Sequence, residues 1–136
     1  MGLANMRNKT NLLPRRYFRI PFDRPVDFTI LKYKRRYITH LSAKHGPGKG
    51  HDLGEDGMSF ISQYSLPEDI VVRVVFELPG HGDQHILARV IRNTQIDSGH
   101  LTAVQFLNLH GPRKDKLRNY IARQTKESYK FLKYFK

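Results

Sequence analysis

Apolar and polar residues alternate along the middle of the chain with the two-residue period of a β-strand. The first predicted strand is "PVDFTILKY", and "RRYITHLSA" is interpreted as the strand that pairs with it on the way back. The segments "KHGPGKGH" and "DLGEDG" come next and are predicted to be a loop and a turn, because glycine breaks regular structure. The other predicted strands are "MSFIS", "DIVVRVVFELP", "HILARVIRN" and "LTAVQFLNL". About six strands with short connections favour a closed antiparallel barrel.

The apolar period changes to that of a helix near the end of the chain. Pro112 suits the first helical position, and Asp115 lies in the first turn, where the helix dipole favours an anion. One face of this helix is apolar and is predicted to cover the barrel. Its residues are Leu117, Tyr120, Ile121, Leu132 and Phe135. The predicted fold is mainly β: a flexible basic arm over residues 1–24, a barrel over 25–110 and a helix over 111–136.

Positive charge is concentrated at the two ends of the chain. The 24 Lys and Arg residues and 12 Asp and Glu residues give a formal net charge of +12. Residues 1–36 carry +8 and residues 112–136 carry +7, whereas the segment between them carries −3. This pattern favours an anionic partner, which the charge alone leaves open between nucleic acid, a nucleotide, a lipid surface and an acidic protein.

Several chemistries find no support in the sequence. The absence of cysteine excludes thiolate nucleophiles and thiolate metal sites. No apolar run approaches the roughly 20 residues of a membrane helix, so we expect a cytoplasmic protein without membrane insertion. The segment that begins at Asp52 resembles half of a calcium loop, but Gly54 and Gln63 occupy its third and twelfth positions. We therefore expect no metal, no cofactor and no catalytic residue.

Two short segments carry the chemistry of an anion site. In "PRRYFRIPF" three arginines provide planar guanidinium groups, which bind phosphate oxygens in pairs and stack on bases. In "DLGEDG" a carboxylate can accept hydrogen bonds from guanine N1 and N2, and glycines let backbone N–H groups approach a ligand. Together they predict a site for a guanine nucleotide with several phosphates. The predicted site residues are Arg15, Arg16, Arg19, Asp52, Gly54 and Gly57.

These motifs, followed by six strands and a helix, resemble the PilZ domain family of bacterial cyclic di-GMP receptors. Arg15 and Arg19 match its Arg-x-x-x-Arg motif, and Asp52 and Gly57 match its Asp/Asn-x-Ser-x-x-Gly motif. The resemblance implies a second-messenger receptor rather than an enzyme. The ligand's phosphates would neutralise the arginines, draw the arm across the barrel and change the surface shown to an unidentified effector protein.

The sequence departs from the family pattern in two places. Gly54 stands where the second motif has serine, and residues 42–51 resemble an insertion before that motif. Either difference could weaken ligand binding or abolish it, which would leave an adaptor that binds a protein without ligand. In another reading, Arg15 and Arg19 only pair with carboxylates such as Glu55 or Asp56. A basic barrel that binds nucleic acid is a further alternative, although few aromatic residues are evenly spaced on the strands.

Overall fold

The computed structural model describes residues 19–33, 36–37 and 45–133, and for residues 33, 36–37 and 127–133 it describes the backbone only. Eight strands and one helix occur in this part of the chain. They are β1 (Arg19–Pro21), β2 (Pro25–Tyr33), β3 (Arg36–Tyr37), β4 (His45–Gly54), β5 (Gly57–Ser62), β6 (Ile70–Leu78), β7 (Gly82–Ile96), β8 (Gly99–Phe106) and α1 (Pro112–Lys133).

Six of these strands form a closed antiparallel barrel, as the sequence predicted. The order around the barrel is β4-β5-β8-β7-β6-β2, and β2 pairs with β4 to close it. The short strands β1 and β3 add to the edges of β4 and β2. Every pairing is between antiparallel strands, so the polypeptide needs only short turns between most neighbours.

Most of the barrel interior is filled by the apolar side chains that the alternating pattern placed on one face of the predicted strands. Strand β6 is typical, because Ile70, Val72, Val74, Phe76 and Leu78 are buried and the positions between them are more exposed. The core therefore takes its residues at a period of two.

Helix α1 covers one end of this core. It begins at Pro112, after Gly111 with a φ of 66°, and the Asp115 N–H donates to the Gly111 carbonyl. Leu117 and Ile121 are buried, and Tyr120 packs against the same cluster. The helix and its apolar face are thus confirmed as far as Ile121, whereas the side chains of Leu132 and Phe135 lie outside the described residues.

The predicted loop over residues 44–51 is wrong, because His45–Gly54 form strand β4. This strand pairs with β2, from Pro25 opposite Lys49 to Thr29 opposite His45. The predicted return strand is described only at Arg36–Tyr37, as β3, and residues 38–44 lie outside the described residues. The barrel strand that follows β2 is therefore β4, so residues 45–51 are part of the barrel rather than an insertion into it.

Glycines occupy β4 because of close packing rather than because the chain turns there. A Cβ atom on Gly46 would lie 2.5 Å from the ring of Tyr64, and one on Gly50 would lie 2.3 Å from the Phe22 carbonyl oxygen. The backbone contact excludes a side chain at Gly50, whereas a side chain at Gly46 would require the Tyr64 ring to move. The sequence rule that glycine marks a loop fails here because it cannot detect which strands approach each other.

The end of the predicted flexible arm is attached to the barrel. Arg19–Pro21 pair with β4, the Phe22 N–H donates to the His51 carbonyl, and both Ile20 and Phe22 are buried. The Phe22 ring lies edge-on to Phe76 and to Tyr120 of the helix. Residues 19–22 therefore belong to the barrel in this structure, while residues 1–18 lie outside the described part of the chain.

Candidate functional site

The two sequence motifs meet where β1 runs beside β4. In this antiparallel pairing Arg19 lies opposite Gly54, and Pro21 lies opposite Asp52. The Arg19 Nη1 atom donates a hydrogen bond to Asp52 Oδ1 at 2.8 Å. The two side chains are 35% and 32% exposed, so the ion pair lies at the surface and is open to a ligand. An arginine has five N–H donors, so Arg19 keeps others for a second anion.

The turn between β4 and β5 is held by backbone packing at the end where β5 begins. Gly57 follows the turn, and a Cβ atom there would lie 2.2 Å from the Val104 carbonyl oxygen of β8. The Asp56 carbonyl accepts a hydrogen bond from the Phe106 N–H at 2.8 Å. The second motif therefore ends in glycine because β5 and β8 approach closely at that point.

Cations of helix α1 hold the acidic side chains of this turn. Lys114 Nζ lies 3.1 Å from Asp56 Oδ1, and Arg118 Nε lies 3.2 Å from Glu55 Oε1. Arg118 also contacts Asp115 of its own helix. Arg19 pairs with a surface carboxylate, as the alternative reading expected, but that carboxylate is Asp52 rather than Glu55 or Asp56. Lys114 and Arg118 of the helix form ion pairs with Asp56 and Glu55, and sequence analysis did not predict these contacts.

Two adjoining cavities open beside the Arg19–Asp52 pair. One of about 440 Å³ is bounded by Arg19, the β4–β5 turn and Gln105. The other, of about 300 Å³, lies over β4, β5, β8 and β7. Arg19 and Ile91 line both cavities, so the two form one groove across the outside of the barrel. Ile91 is 44% exposed and provides an apolar surface between the charged groups.

Two irregularities in strand pairing shape the second cavity. The register shifts between Gly50 and Asp52 in β4, and again between Val90 and Arg92 in β7. Exposed and buried residues alternate in β7 from Asp83 to Ile91, and the alternation ends at the second shift, where Ile91 and Arg92 are both exposed. β-Bulges commonly redirect side chains beside functional sites.

The structure thus brings four of the six predicted site residues together: Arg19, Asp52, Gly54 and Gly57. Arg15 and Arg16 lie outside the described residues, so their position stays a prediction. Sequence analysis missed Ile91 and Arg92, which reach the groove only through a bulge that no residue pattern signals. It also missed Ser59, which lies opposite Asp52 through the pairing of β4 with β5.

Within the described ranges, no cluster of three or more His, Asp or Glu side chains is arranged to hold a metal ion. No helix in those ranges combines the length and the apolar character that a membrane crossing requires.

Comparison with known proteins identifies the fold. The chain resembles Escherichia coli YcgR in complex with c-di-GMP, with a TM-score of 0.68 and 19% identity over 90% of this chain and 50% of that chain. It also resembles the PilZ domain of YcgR from Escherichia coli with c-di-GMP (TM-score 0.59, 18% identity, 88% of this chain and 97% of that domain). A third match is the MrkH–c-di-GMP complex of K. pneumonia (TM-score 0.63, 15% identity, 85% of this chain and 54% of that chain).

The chain spans about half of the length of the YcgR and MrkH chains that it matches. No curated protein sequence gives a significant match. The family model for the PilZ domain matches residues 14–123, which include both motifs, all strands of the barrel and the buried face of the helix. The chain therefore belongs to the PilZ domain family.

Proposed function

We propose that this protein is a receptor for cyclic di-GMP that signals by a change of conformation and catalyses no reaction. The observation that carries the proposal is the ion pair of Arg19 with Asp52, because it joins one residue of each motif at the edge of an open groove. Membership of the PilZ family and the fold shared with c-di-GMP complexes support the same ligand.

The chemistry of the groove fits a guanine nucleotide with two phosphates. Arg15, Arg16 and Arg19 would bind the phosphates, since guanidinium groups form paired hydrogen bonds with phosphate oxygens. Asp52 would accept hydrogen bonds from the N1 and N2 donors of a guanine. The backbone N–H group of Gly54 would approach the ligand without a Cβ atom in the way, and Gly57 would support the site by letting β5 pack against β8.

The proposed switch involves the residues that precede Arg19. The ligand would neutralise Arg15 and Arg16 and bring this segment onto the groove, which changes the surface offered to an effector protein. β1 and the Phe22 contacts fix the end of the segment beside β4. The movement is therefore proposed for residues 1–18 and not for the whole of residues 1–24.

Isothermal titration of cyclic di-GMP into the purified protein tests the proposal, at about 0.15 M salt and with GTP as a control ligand. We expect binding that the double variant Arg15→Ala, Arg19→Ala loses. The matched control is Arg73→Ala, Arg123→Ala, which removes the same charge from exposed positions that line neither cavity of the groove.

Each result decides between the proposed function and its alternatives. Absence of both heat and competition at high concentrations of the unchanged protein would refute the receptor and favour a ligand-independent adaptor. Equal weakening by both double variants, with an affinity that falls steeply as salt rises, would indicate a non-specific polyanion surface instead.

A further inference from the structure

Ser59 carries a buried hydroxyl group without a hydrogen-bond partner among the described residues. The residue is 5% exposed, and its Oγ atom makes no hydrogen bond in that part of the chain. Buried polar groups in proteins are almost always bonded, so an exception of this kind requires an explanation.

The other buried polar side chains of the described residues are bonded. Thr102 accepts a hydrogen bond from Asn93 at 2.8 Å, and Gln84 donates to the Gly82 carbonyl at 3.1 Å. Ser62, on the same strand as Ser59, accepts from the Tyr64 N–H at 3.1 Å. The barrel therefore satisfies its buried polar groups elsewhere, and the unpaired hydroxyl is specific to the position of Ser59.

Strand register places Ser59 beside Asp52, on the face of the sheet that carries the groove. Asp52 lies opposite Ser59, Ser59 lies opposite Ala103, and Ala103 lies opposite Arg92. Directly opposed residues project to the same face of a sheet. The four side chains thus form a row across β4, β5, β8 and β7, and all four line the second cavity. Ser59 lies between Asp52 and Ala103 in this row, and the small side chain of Ala103 leaves space above its neighbour.

We infer that Ser59 is a ligand contact that replaces the hydroxyl missing at Gly54. The inference rests on the proposed function, since it assigns a further residue to the same site. A serine hydroxyl both donates and accepts, and rotation about χ1 changes the direction in which it does so. Beside Asp52, which accepts from guanine N1 and N2, the Ser59 hydroxyl donates to the O6 acceptor of the same base.

Replacement of Ser59 by alanine separates this role from a structural one. Loss of one hydrogen bond to the ligand lowers affinity about five- to tenfold. The melting temperature of the ligand-free protein should not fall, because the variant removes a hydroxyl that bonds to nothing in the described structure. A serine that stabilised the fold would show the opposite result, with a lower melting temperature and unchanged affinity.

Ser62→Ala is the matched control, since it removes a buried hydroxyl from the same strand. Ser62 is bonded to Tyr64 and lines neither cavity of the groove. We expect this variant to melt at a lower temperature and to bind cyclic di-GMP as the unchanged protein does.

The decisive experiment is titration of cyclic di-GMP into the unchanged protein, Ser59→Ala, Ser62→Ala and Gly54→Ser, with melting temperatures for all four. If the unchanged protein binds and Ser59→Ala binds equally well, the inference is wrong while the proposed function stands. If the unchanged protein does not bind, the proposed function fails first. If Gly54→Ser folds, the loss of affinity caused by Ser59→Ala should be smaller in that variant than in the unchanged protein. An equal loss of affinity in both would show that the Ser59 hydroxyl does not replace the one missing at Gly54.

Discussion

The ion pair between Arg19 and Asp52 predicts a measurable coupling in the stability of the ligand-free protein. The atoms lie 2.8 Å apart and each side chain is about one third exposed, so the pair is intermediate between a surface and a buried salt bridge. Exposed pairs contribute about 0.2–1 kcal/mol, whereas removal of one partner from a buried pair costs about 3–5 kcal/mol. We expect a coupling of about 1 kcal/mol, because solvent screens part of the attraction.

A double-mutant cycle with Arg19→Met and Asp52→Asn measures this coupling by urea unfolding. Each single variant should lower the free energy of unfolding, and the double variant should lower it by less than the sum. In a domain of this size, 1 kcal/mol corresponds to roughly 3–4 °C in melting temperature. Since salt at 1 M reduces the Debye length to about 3 Å, the coupling should decrease there.

Lys49 and Asp23 provide a control pair of the same charge type. Their side chains are 67% and 76% exposed and lie 3.3 Å apart, so we expect a coupling smaller than that of Arg19 with Asp52. Equal values for the two cycles would show that the contact between the motifs is an ordinary surface pair. A value above about 3 kcal/mol would show that it is shielded from water and closed to a ligand.

Three further substitutions test other parts of the structure. Gly57→Ala should destabilise the protein by about 1–3 kcal/mol, since the added methyl group meets the Val104 carbonyl; an unchanged melting temperature would refute this close approach. Phe22→Ala should cost about 3–5 kcal/mol in urea unfolding, because its buried ring packs on the barrel and the helix; a loss below 1 kcal/mol would contradict that packing. Lys114→Ala should cost about 0.5–1 kcal/mol through the lost pair with Asp56, and a loss that persists in 1 M salt would exclude an electrostatic origin.

Sequence patterns predicted most of the barrel because burial in a strand follows a period of two. Strand β6 and the face of helix α1 with Leu117 and Ile121 were identified in this way, because their buried positions carry apolar side chains that are visible in the sequence. Strand β4 was missed because its interior positions are glycines such as Gly46 and Gly50. Whether such a residue faces a turn or a packed neighbour depends on the other strands, which the local sequence does not specify.

The candidate site was predictable only where it consists of adjacent residues in a motif. Arg19 and Asp52 were assigned to one site from their chemistry and family pattern, and the pairing of β1 with β4 gives the physical reason. Ser59, Ile91 and Arg92 could not be found in this way. They reach the groove through the pairing register of four strands and through a bulge, and both are properties of the assembled barrel.

The β4–β5 turn connects the candidate site to the helix, and the energies of its ion pairs limit how strongly a ligand can act on the helix through it. Arg19 approaches the motif from β1, while Lys114 and Arg118 hold Asp56 and Glu55 from the helix. A ligand that moves the turn changes these helix contacts directly, without a longer chain of intermediates. Each pair is partly exposed and contributes no more than about 1 kcal/mol, so both together can change effector affinity by at most about thirtyfold. A larger change would require the segment before Arg19 to contact the effector itself.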